Sequence, residues 1–154
     1  MLLPCRRLAP TDGPLYTRQM NVKYQRDRSE TVASSMSRHL LTAAASDSLV
    51  DAARRMGQRR VGAILVLEGE KLIGIMTERD VLRAVGAGSI DGSVSDWMTR
   101  DPITVDPHAT HGEAAMMMIH GGFRHVPVVE HGKLVGIVSI RDLLLLPSST
   151  PSGV

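Results

Sequence analysis

A seven-residue motif that combines a hydroxyl group, a guanidinium and a carboxylate occurs twice in this chain, at residues 74–80 and 136–142. In each copy an apolar run ends at Thr77 or Ser139, and an arginine and an aspartate follow two and three residues later. A hydroxyl three residues before a carboxylate is typical of a helix capping box, in which both side chains satisfy free backbone N–H groups. The motif therefore predicts a strand that runs directly into a helix.

Capping does not explain the arginines of the two motifs, Arg79 and Arg141. A cation in the first turn of a helix opposes the helix dipole, at a cost of about 0.3 kcal/mol or more. A positive charge placed there in both copies suggests that an anion binds close by. Two interpretations remain at this point: a helix start that only caps, and a helix start that also contributes to an anion site.

The two motifs close two copies of a longer repeat. Residues 32–82 align without a gap with residues 94–144, at a constant offset of 62 positions. Identical pairs run through the whole alignment and include Val32 and Val94, Met36 and Met98, Met56 and Met118, Val66 and Val128, and Leu82 and Leu144. Chance does not keep register over so long a stretch, so the chain contains an internal duplication.

Each copy is predicted to fold in the order β-α-β-β-α after a short leading turn, which places the chain in the α/β (α+β) class. Ser48 and Thr110 are expected to open the long helices, and Gly57 and the pair Gly121-Gly122 to end them. The predicted strands are 41–43, 63–67 and 72–76 in copy one, and 103–105, 125–129 and 134–138 in copy two. The closing helices are predicted at 78–85 and 140–146.

Length and composition indicate one compact unit with two terminal extensions. The chain has 154 residues, is 43% hydrophobic and contains a single cysteine, Cys5, so it cannot form an intrachain disulfide. We predict a flexible basic arm over 1–31, a first domain over 32–90, a second over 94–146 and a disordered tail over 147–154. No apolar run approaches the roughly 18 residues that span a bilayer, and we read no signal peptide, so a soluble cytoplasmic protein is expected.

The basic charge argues against a nucleic-acid-binding surface on the fold. Six basic and three acidic residues fall within residues 1–31, whereas the whole chain has a net charge of only +2. The remainder therefore carries a net charge of −1, and aromatic residues make up only 3% of the chain. Polyanion binding requires a basic stripe, and single strands need aromatic rings for stacking, so nucleic acid is not the expected partner.

Tandem copies of this kind, each ending in Gly-hydrophobic-x-Thr/Ser-x-x-Asp, resemble the CBS domain pair, or Bateman module, of stand-alone bacterial type. The segments 62–66 and 124–128 and the dipeptide Met98-Thr99 add to the resemblance, which covers residues 32–146. It implies two repeats packed by pseudo-two-fold symmetry, with a cleft between them for adenosine-containing ligands such as AMP, ADP, ATP, NAD or S-adenosylmethionine. No cofactor or metal is required; the adenine nucleotide, with AMP, ATP or NAD foremost, would be a regulatory ligand.

The resemblance also assigns roles to residues. Asp80 and Asp142 would accept hydrogen bonds from ribose hydroxyls, Thr77 and Ser139 would contact ribose or phosphate, and Arg79 and Arg141 would face the phosphates. The purine would lie between the leading segment of a copy and that copy's second strand. The corresponding residues are Ser37, His39 and Leu41 with Gly62, Ala63 and Ile64 in copy one, and Thr99, Asp101, Pro102 and Ile103 with Arg124, His125, Val126 and Pro127 in copy two.

These roles agree with the chemistry of the side chains. A carboxylate binds a vicinal diol, and a guanidinium matches a phosphate as a fork. We favour the site that contains the copy-two motif, and a ligand at the copy-one site stays an alternative. Pro102 and Pro127 are expected beside the base in copy two, and Ile140 there leaves Arg141 free of a neighbouring carboxylate. In copy one, Glu78 is expected to hold Arg79 in a surface ion pair.

Other functions are weighed against this one. His108 and His111 lack a third ligand at a convincing spacing, so we expect solvated histidines and no metal site. No nucleophile and base stand at a recognisable spacing, which speaks against an enzyme. Surplus apolar residues at 116–118 and 143–146 predict a second buried surface. The resemblance implies a homodimer and an unknown regulated protein partner; the alternative function is a ligand-free adaptor that binds another protein through that surface.

Overall fold

A computed structural model describes residues 30–144 of the chain. The predicted tail, Leu145 and Leu146, and the predicted arm as far as residue 29 lie outside the described residues. The last two residues assigned to the arm are already bonded to the second repeat. The carbonyl of Glu30 accepts a hydrogen bond from the N–H of His111, with an N···O distance of 2.8 Å, and Thr31 forms a bridge with Thr110.

The described residues fold into two β-α-β-β-α repeats, each with a one-turn leading helix, and the predicted fold class is confirmed. The first repeat comprises α1 (Val32–Ser35), β1 (Thr42–Ala43), α2 (Leu49–Arg59), β2 (Ala63–Glu68), β3 (Lys71–Thr77) and α3 (Glu78–Gly86). The second comprises α4 (Val94–Trp97), β4 (Thr99–Arg100), α5 (His111–Gly121), β5 (His125–Glu130), β6 (Lys133–Ser139) and α6 (Ile140–Leu144). None of the helices in this range has the length and apolar composition needed to cross a membrane.

Two local predictions are wrong. Gly57 does not end α2, which continues to Arg59 and is capped by Arg60 in the left-handed conformation. The strand predicted at 103–105 is reduced to a single parallel bridge between Val105 and Val128. The sheets differ in size for this reason and because β4 pairs with β3 of the first repeat. Strands β1 to β4 form a four-stranded sheet in chain order, while β5 and β6 form a two-stranded one.

The leading helix of each repeat packs against the other repeat. The N–H of Val32 in α1 donates to the carbonyl of Ala109, and the N–H of Val94 in α4 donates to the carbonyl of Asp47, each with an N···O distance of 2.9 Å. The two bonds are related by the offset of 62, so the exchange is reciprocal. Val94 accordingly lies in the apolar core of the first repeat and Val32 in that of the second.

The residues that follow each leading helix continue the exchange. Ser37 pairs in antiparallel fashion with Ile137 at β6, and Thr99 pairs with Ile75 on β3. These pairs are again related by the offset of 62. A third apolar cluster lies where the two sheets meet, with Leu65 and Ile75 of the first repeat against Ile137 of the second.

Two glycines allow the exchanged segments to approach the sheets. A Cβ at Gly74 on β3 would lie 2.6 Å from Sδ of Met98 and 3.1 Å from the carbonyl oxygen of Thr99. A Cβ at Gly136 on β6 would lie 2.6 Å from Sδ of Met36. Real contacts of this kind are not so short, so any larger residue must displace a leading segment.

We therefore expect Gly74→Ala and Gly136→Ala each to lower the free energy of unfolding by about 1–3 kcal/mol, as in other overpacked cores. Urea unfolding measures the change. The matched control is Gly57→Ala, because a Cβ there meets nothing within 4 Å. Because Gly57 is helical, its replacement by alanine should raise the free energy of unfolding by about 0.5–1 kcal/mol. Equal stability of the Gly74→Ala and Gly57→Ala proteins would contradict the close approach.

Candidate functional site

A cavity of about 530 Å³ lies between the two repeats. Its volume falls in the usual range for small-molecule sites, about 300–1,000 Å³. The first repeat contributes Ser37, His39, Leu41, Arg60, Val61, Gly62, Ala63, Leu65 and Glu78. The second contributes Arg124, His125, Ile137, Ser139, Ile140, Arg141 and Asp142. The lining combines apolar side chains, among them Leu41, Leu65 and Ile137, with polar and charged ones. The charged residues are Arg60, Glu78, Arg124, Arg141 and Asp142.

The motif of the second repeat lies at this cavity as a capping box. The N–H and the hydroxyl of Ser139 both donate to Oδ2 of Asp142, at 2.8 and 2.6 Å, and the N–H of Asp142 donates to the Ser139 hydroxyl at 3.3 Å. The predicted capping role is therefore correct for this motif. These bonds use one carboxylate oxygen; within residues 30–144, Oδ1 of Asp142 has no hydrogen-bond partner.

The equivalent motif of the first repeat caps α3 in the same way, but its carboxylate has no oxygen left for a ligand. The N–H and the hydroxyl of Thr77 donate to Oδ2 of Asp80, at 2.9 and 2.8 Å. The other carboxylate oxygen, Oδ1, accepts a hydrogen bond from Arg83 at 3.2 Å, and Asp80 is only 7% exposed. Asp80 therefore has both oxygens engaged, whereas Asp142 keeps one oxygen available to a ligand.

The arginines of the two motifs also differ. Arg79 donates to the carbonyl of Gly122 at 3.1 Å, while Arg141 is exposed at the cavity and has no side-chain partner within the described range. The prediction that Glu78 holds Arg79 is wrong. Oε1 of Glu78 instead pairs with Arg124 of the second repeat at 3.4 Å, because the loop that carries Arg124 lies across the cavity from α3.

The loop before β2 approaches the loop before β5 very closely. A Cβ at Gly62 would lie 2.8 Å from both Oε2 of Glu78 and Cε1 of His125, so only glycine fits there without displacing the cavity wall. His125 is half-buried by this contact. Its burial lowers the pKa of the imidazole, although the neighbouring carboxylate of Glu78 acts in the opposite direction.

Ten of the predicted site residues line the cavity: Ser37, His39, Leu41, Gly62, Ala63, Arg124, His125, Ser139, Arg141 and Asp142. Ile64, Val126 and Pro127 are instead fully buried. Thr77, Arg79 and Asp80 belong to the first-repeat motif, and Thr99, Asp101, Pro102 and Ile103 lie on or just after β4. The structure does not bring these ten other residues to the cavity wall.

The exchange of leading segments explains which residues meet. Ser37 pairs with β6, which ends at Ser139, so the leading segment of the first repeat meets the motif of the second. Thr99 pairs with β3, which ends at Thr77. The expectation that Pro102 and Pro127 flank the favoured site is therefore wrong. Pro102 follows β4, which pairs with β3 of the first repeat, and Pro127 is buried within β5.

Sequence reasoning missed six residues of the cavity wall: Arg60, Val61, Leu65, Glu78, Ile137 and Ile140. Leu65, Ile137 and Ile140 carried no signal beyond hydrophobicity. Arg60 could have been noticed in the sequence, because the equivalent residue of the second repeat is a glycine, Gly122.

The histidines do not form a metal centre within residues 30–144, where no group of three or more potential ligands comes together. His108 is exposed as expected. The prediction of a solvated His111 is wrong, because its ring is buried under α1, with Nε2 lying 3.5 Å from Oγ of Ser34. Residues 30–35 cover this ring, whereas the sequence predicts an arm and a turn there.

Comparisons with known proteins agree with this architecture. The sequence model of the CBS domain family matches residues 30–87 and 94–148. An uncharacterized 17.7 kDa protein of Acidianus ambivalens is 39% identical over 100 residues, which is 62% of this chain and 60% of that protein. The inosine-5'-monophosphate dehydrogenase of Korarchaeum cryptofilum is 38% identical over 69% of this chain, but the match spans only 22% of the enzyme.

Solved structures that are similar to this chain also contain CBS domains. A CBS-domain protein of Agrobacterium tumefaciens aligns with a TM-score of 0.71 and 34% identity, over 75% of this chain and 97% of that one. A CBS domain protein of Pyrobaculum aerophilum complexed with AMP has a TM-score of 0.71 and 28% identity, over 77% and 93% of the two chains. A CBS domain pair in complex with 5'-methylthioadenosine and S-adenosylmethionine has a TM-score of 0.70 and 26% identity, over 74% and 92%.

The buried environment of His125 predicts a pH dependence. Because burial lowers its pKa, the unfolded chain takes up this proton at a higher pH than the folded protein does. The stability contributed by the neutral ring is present above about pH 6.5 and is lost as the pH falls toward the lowered value. His125→Gln should therefore flatten the fall in stability on the acid side, as measured by urea unfolding at several pH values. The control is His108→Gln, an exposed histidine outside the cavity; an equal change in both variants would contradict the assignment.

Proposed function

The chain belongs to the CBS domain family, and we propose that it is a regulatory module that binds an adenosine-containing nucleotide in the cavity between its two repeats. The observation that carries this proposal is the side-by-side arrangement of Asp142, with one free carboxylate oxygen, and Arg141, without a carboxylate partner among residues 30–144. A carboxylate that already caps a helix is fixed in position. Its second oxygen can therefore accept hydrogen bonds from a ribose diol at little entropic cost.

The other cavity residues suit the remaining parts of such a ligand. The apolar side chains of Leu41 and Ile137 offer faces against which a purine can pack, and Arg141 offers a planar fork for a phosphate. Solved structures that are similar to this chain contain AMP, or 5'-methylthioadenosine with S-adenosylmethionine. This similarity supports an adenosine-based ligand here.

A ligand in this cavity would touch both repeats, so its binding would favour one relative position of the repeats over others. We propose that this shift is the regulatory signal and that a partner protein reads it. The proposed role is regulatory and not catalytic. The similarity to the dehydrogenase covers 22% of that enzyme and supports a shared module, not its reaction.

The ligand is tested by titrating AMP, ADP, ATP, NAD and S-adenosylmethionine in calorimetry and thermal denaturation. A ligand present at 100 times its dissociation constant should stabilise the protein by about 2.7 kcal/mol. Asp142→Ala should abolish this stabilisation. Absence of any effect by all five ligands on the wild-type protein would contradict the proposal.

Asp80→Ala is the matched control, because Asp80 makes the same two capping bonds as Asp142. Both substitutions should lower the stability of the unliganded protein by about 1 kcal/mol through loss of the cap. Only Asp142→Ala should remove the response to ligand. If both variants lost the response equally, the assignment to the described cavity would be wrong.

A second candidate function is a ligand-free adaptor, which the exposed apolar side chains favour. Leu82 on α3 is 71% exposed and Ile119 on α5 is 59% exposed, with Val85, Met116 and Leu144 exposed as well. Such side chains are typical of a docking surface. An adaptor would retain its protein partner in a pull-down whether or not nucleotide is present, and Asp142→Ala would then affect stability alone.

We further propose that these exposed apolar side chains bury themselves in a homodimer interface. Leu82→Glu combined with Ile119→Glu should weaken self-association at least about tenfold, because each carboxylate would lose its hydration in the interface. Sedimentation velocity over a range of protein concentrations measures the change, with Ile90→Glu, in the linker between the repeats, as the control. A wild-type protein that stays monomeric at all concentrations would contradict the dimer.

A further inference from the structure

Arg60 occupies a backbone conformation that does not suit it. It follows the last residue of α2 and has a φ of 53°, in the left-handed region. The Cβ atom makes this conformation unfavourable for an arginine, whereas glycine adopts it freely. The equivalent residue of the second repeat is Gly122, with a φ of 69° at the end of α5. The second repeat thus uses the residue that the backbone favours, and the first repeat does not.

The two loops interchange glycine and arginine. The first repeat reads Arg60-Val61-Gly62, and the second, at the same three positions, reads Gly122-Phe123-Arg124. Both arginines nevertheless line the same cavity. An arginine at position 62 would have to displace the side chains of Glu78 and His125, because a Cβ there would lie 2.8 Å from each of them. The first repeat therefore brings its guanidinium to the cavity from the strained position two residues earlier.

The charges around the cavity show what this arginine adds. Glu78 pairs with Arg124, and Asp142 accepts the capping bonds of Ser139. Within residues 30–144, neither Arg60 nor Arg141 has a carboxylate partner. Two guanidinium groups are therefore free to bind anionic oxygen atoms in one cavity. In the proposed function, Arg141 would bind the phosphate group nearest the ribose, which leaves Arg60 for any further phosphate groups.

We infer that Arg60 is a specificity-determining residue that binds a second or third phosphate group, so that the cavity prefers nucleoside di- and triphosphates to adenosine and AMP. The inference rests on the proposed function and names the ligand class more narrowly. Its physical basis is the strong, geometrically matched bond between guanidinium and phosphate, which can offset an unfavourable backbone conformation when ligand is present. The unliganded protein retains the conformational cost.

Arg60→Gly tests the inference because it installs the residue that the second repeat uses at this position. Isothermal calorimetry with adenosine, AMP, ADP and ATP should show binding of ADP and ATP weakened about tenfold or more, as expected for loss of a charge-assisted hydrogen bond. Binding of adenosine should change less than about twofold, since adenosine has no phosphate for Arg60 to contact. The unliganded variant should also melt at a higher temperature than the wild-type protein, because glycine relieves the strain.

Arg59→Ala is the matched control. It removes a cation from the same helix end, but Arg59 is helical and does not line the cavity. It should leave the ratio of ATP to adenosine affinity unchanged. Arg60→Gly with unchanged ATP affinity, or with equal losses for ATP and adenosine, would overturn the phosphate role and leave the nucleotide site standing. A wild-type protein that binds none of the four ligands would overturn this inference. It would overturn the proposed function as well only if NAD and S-adenosylmethionine also fail to bind.

Discussion

The leading helix of each repeat completes the apolar core of the other, and the rest of the structure depends on this exchange. Val32 and Val94 are fully buried in the core of the opposite repeat, and reciprocal backbone hydrogen bonds hold the helices in place. Gly74 and Gly136 make the approach possible by leaving room for the methionines that follow. Neither repeat has a complete core without the other, so the two form one cooperative unit.

The exchange also determines the composition of the ligand cavity. The segment that carries Ser37 and His39 must pass along β6 after α1, and β6 ends at the capping motif of the second repeat. Groups suited to a base and groups suited to a ribose therefore come from different repeats. A ligand that contacts both sets links the two repeats directly, which gives the proposed regulatory function a structural basis.

Two nearly identical motifs have different surroundings in this fold. Asp80 is closed off by Arg83, whereas Asp142 retains a free oxygen beside Arg141. The loops before the second strands differ as well, since one places arginine at a left-handed position and the other places glycine there. The duplication gives two equivalent motifs, and single side chains distinguish them. A chain of this kind can keep the symmetry of its core and still hold one asymmetric cavity.

The sequence by itself determined the duplication, the order of elements and the capping role of the Thr77 and Ser139 motifs. These follow from local spacing: strand and helix periodicity, and a hydroxyl three residues before a carboxylate. Half of the site residues that it predicts line one cavity. Its preference for the motif that contains Arg141 stays a prediction, and the argument from Pro102 and Pro127 was wrong.

Only the tertiary structure decided which leading segment meets which motif. The offset of 62 makes packing within a repeat and packing across repeats indistinguishable in sequence, because equivalent residues are present in both. The pairing of Glu78 with Arg124 and the burial of His111 likewise depend on residues far away in the chain. Such contacts arise from the fit of two apolar surfaces, and no local pattern encodes that fit.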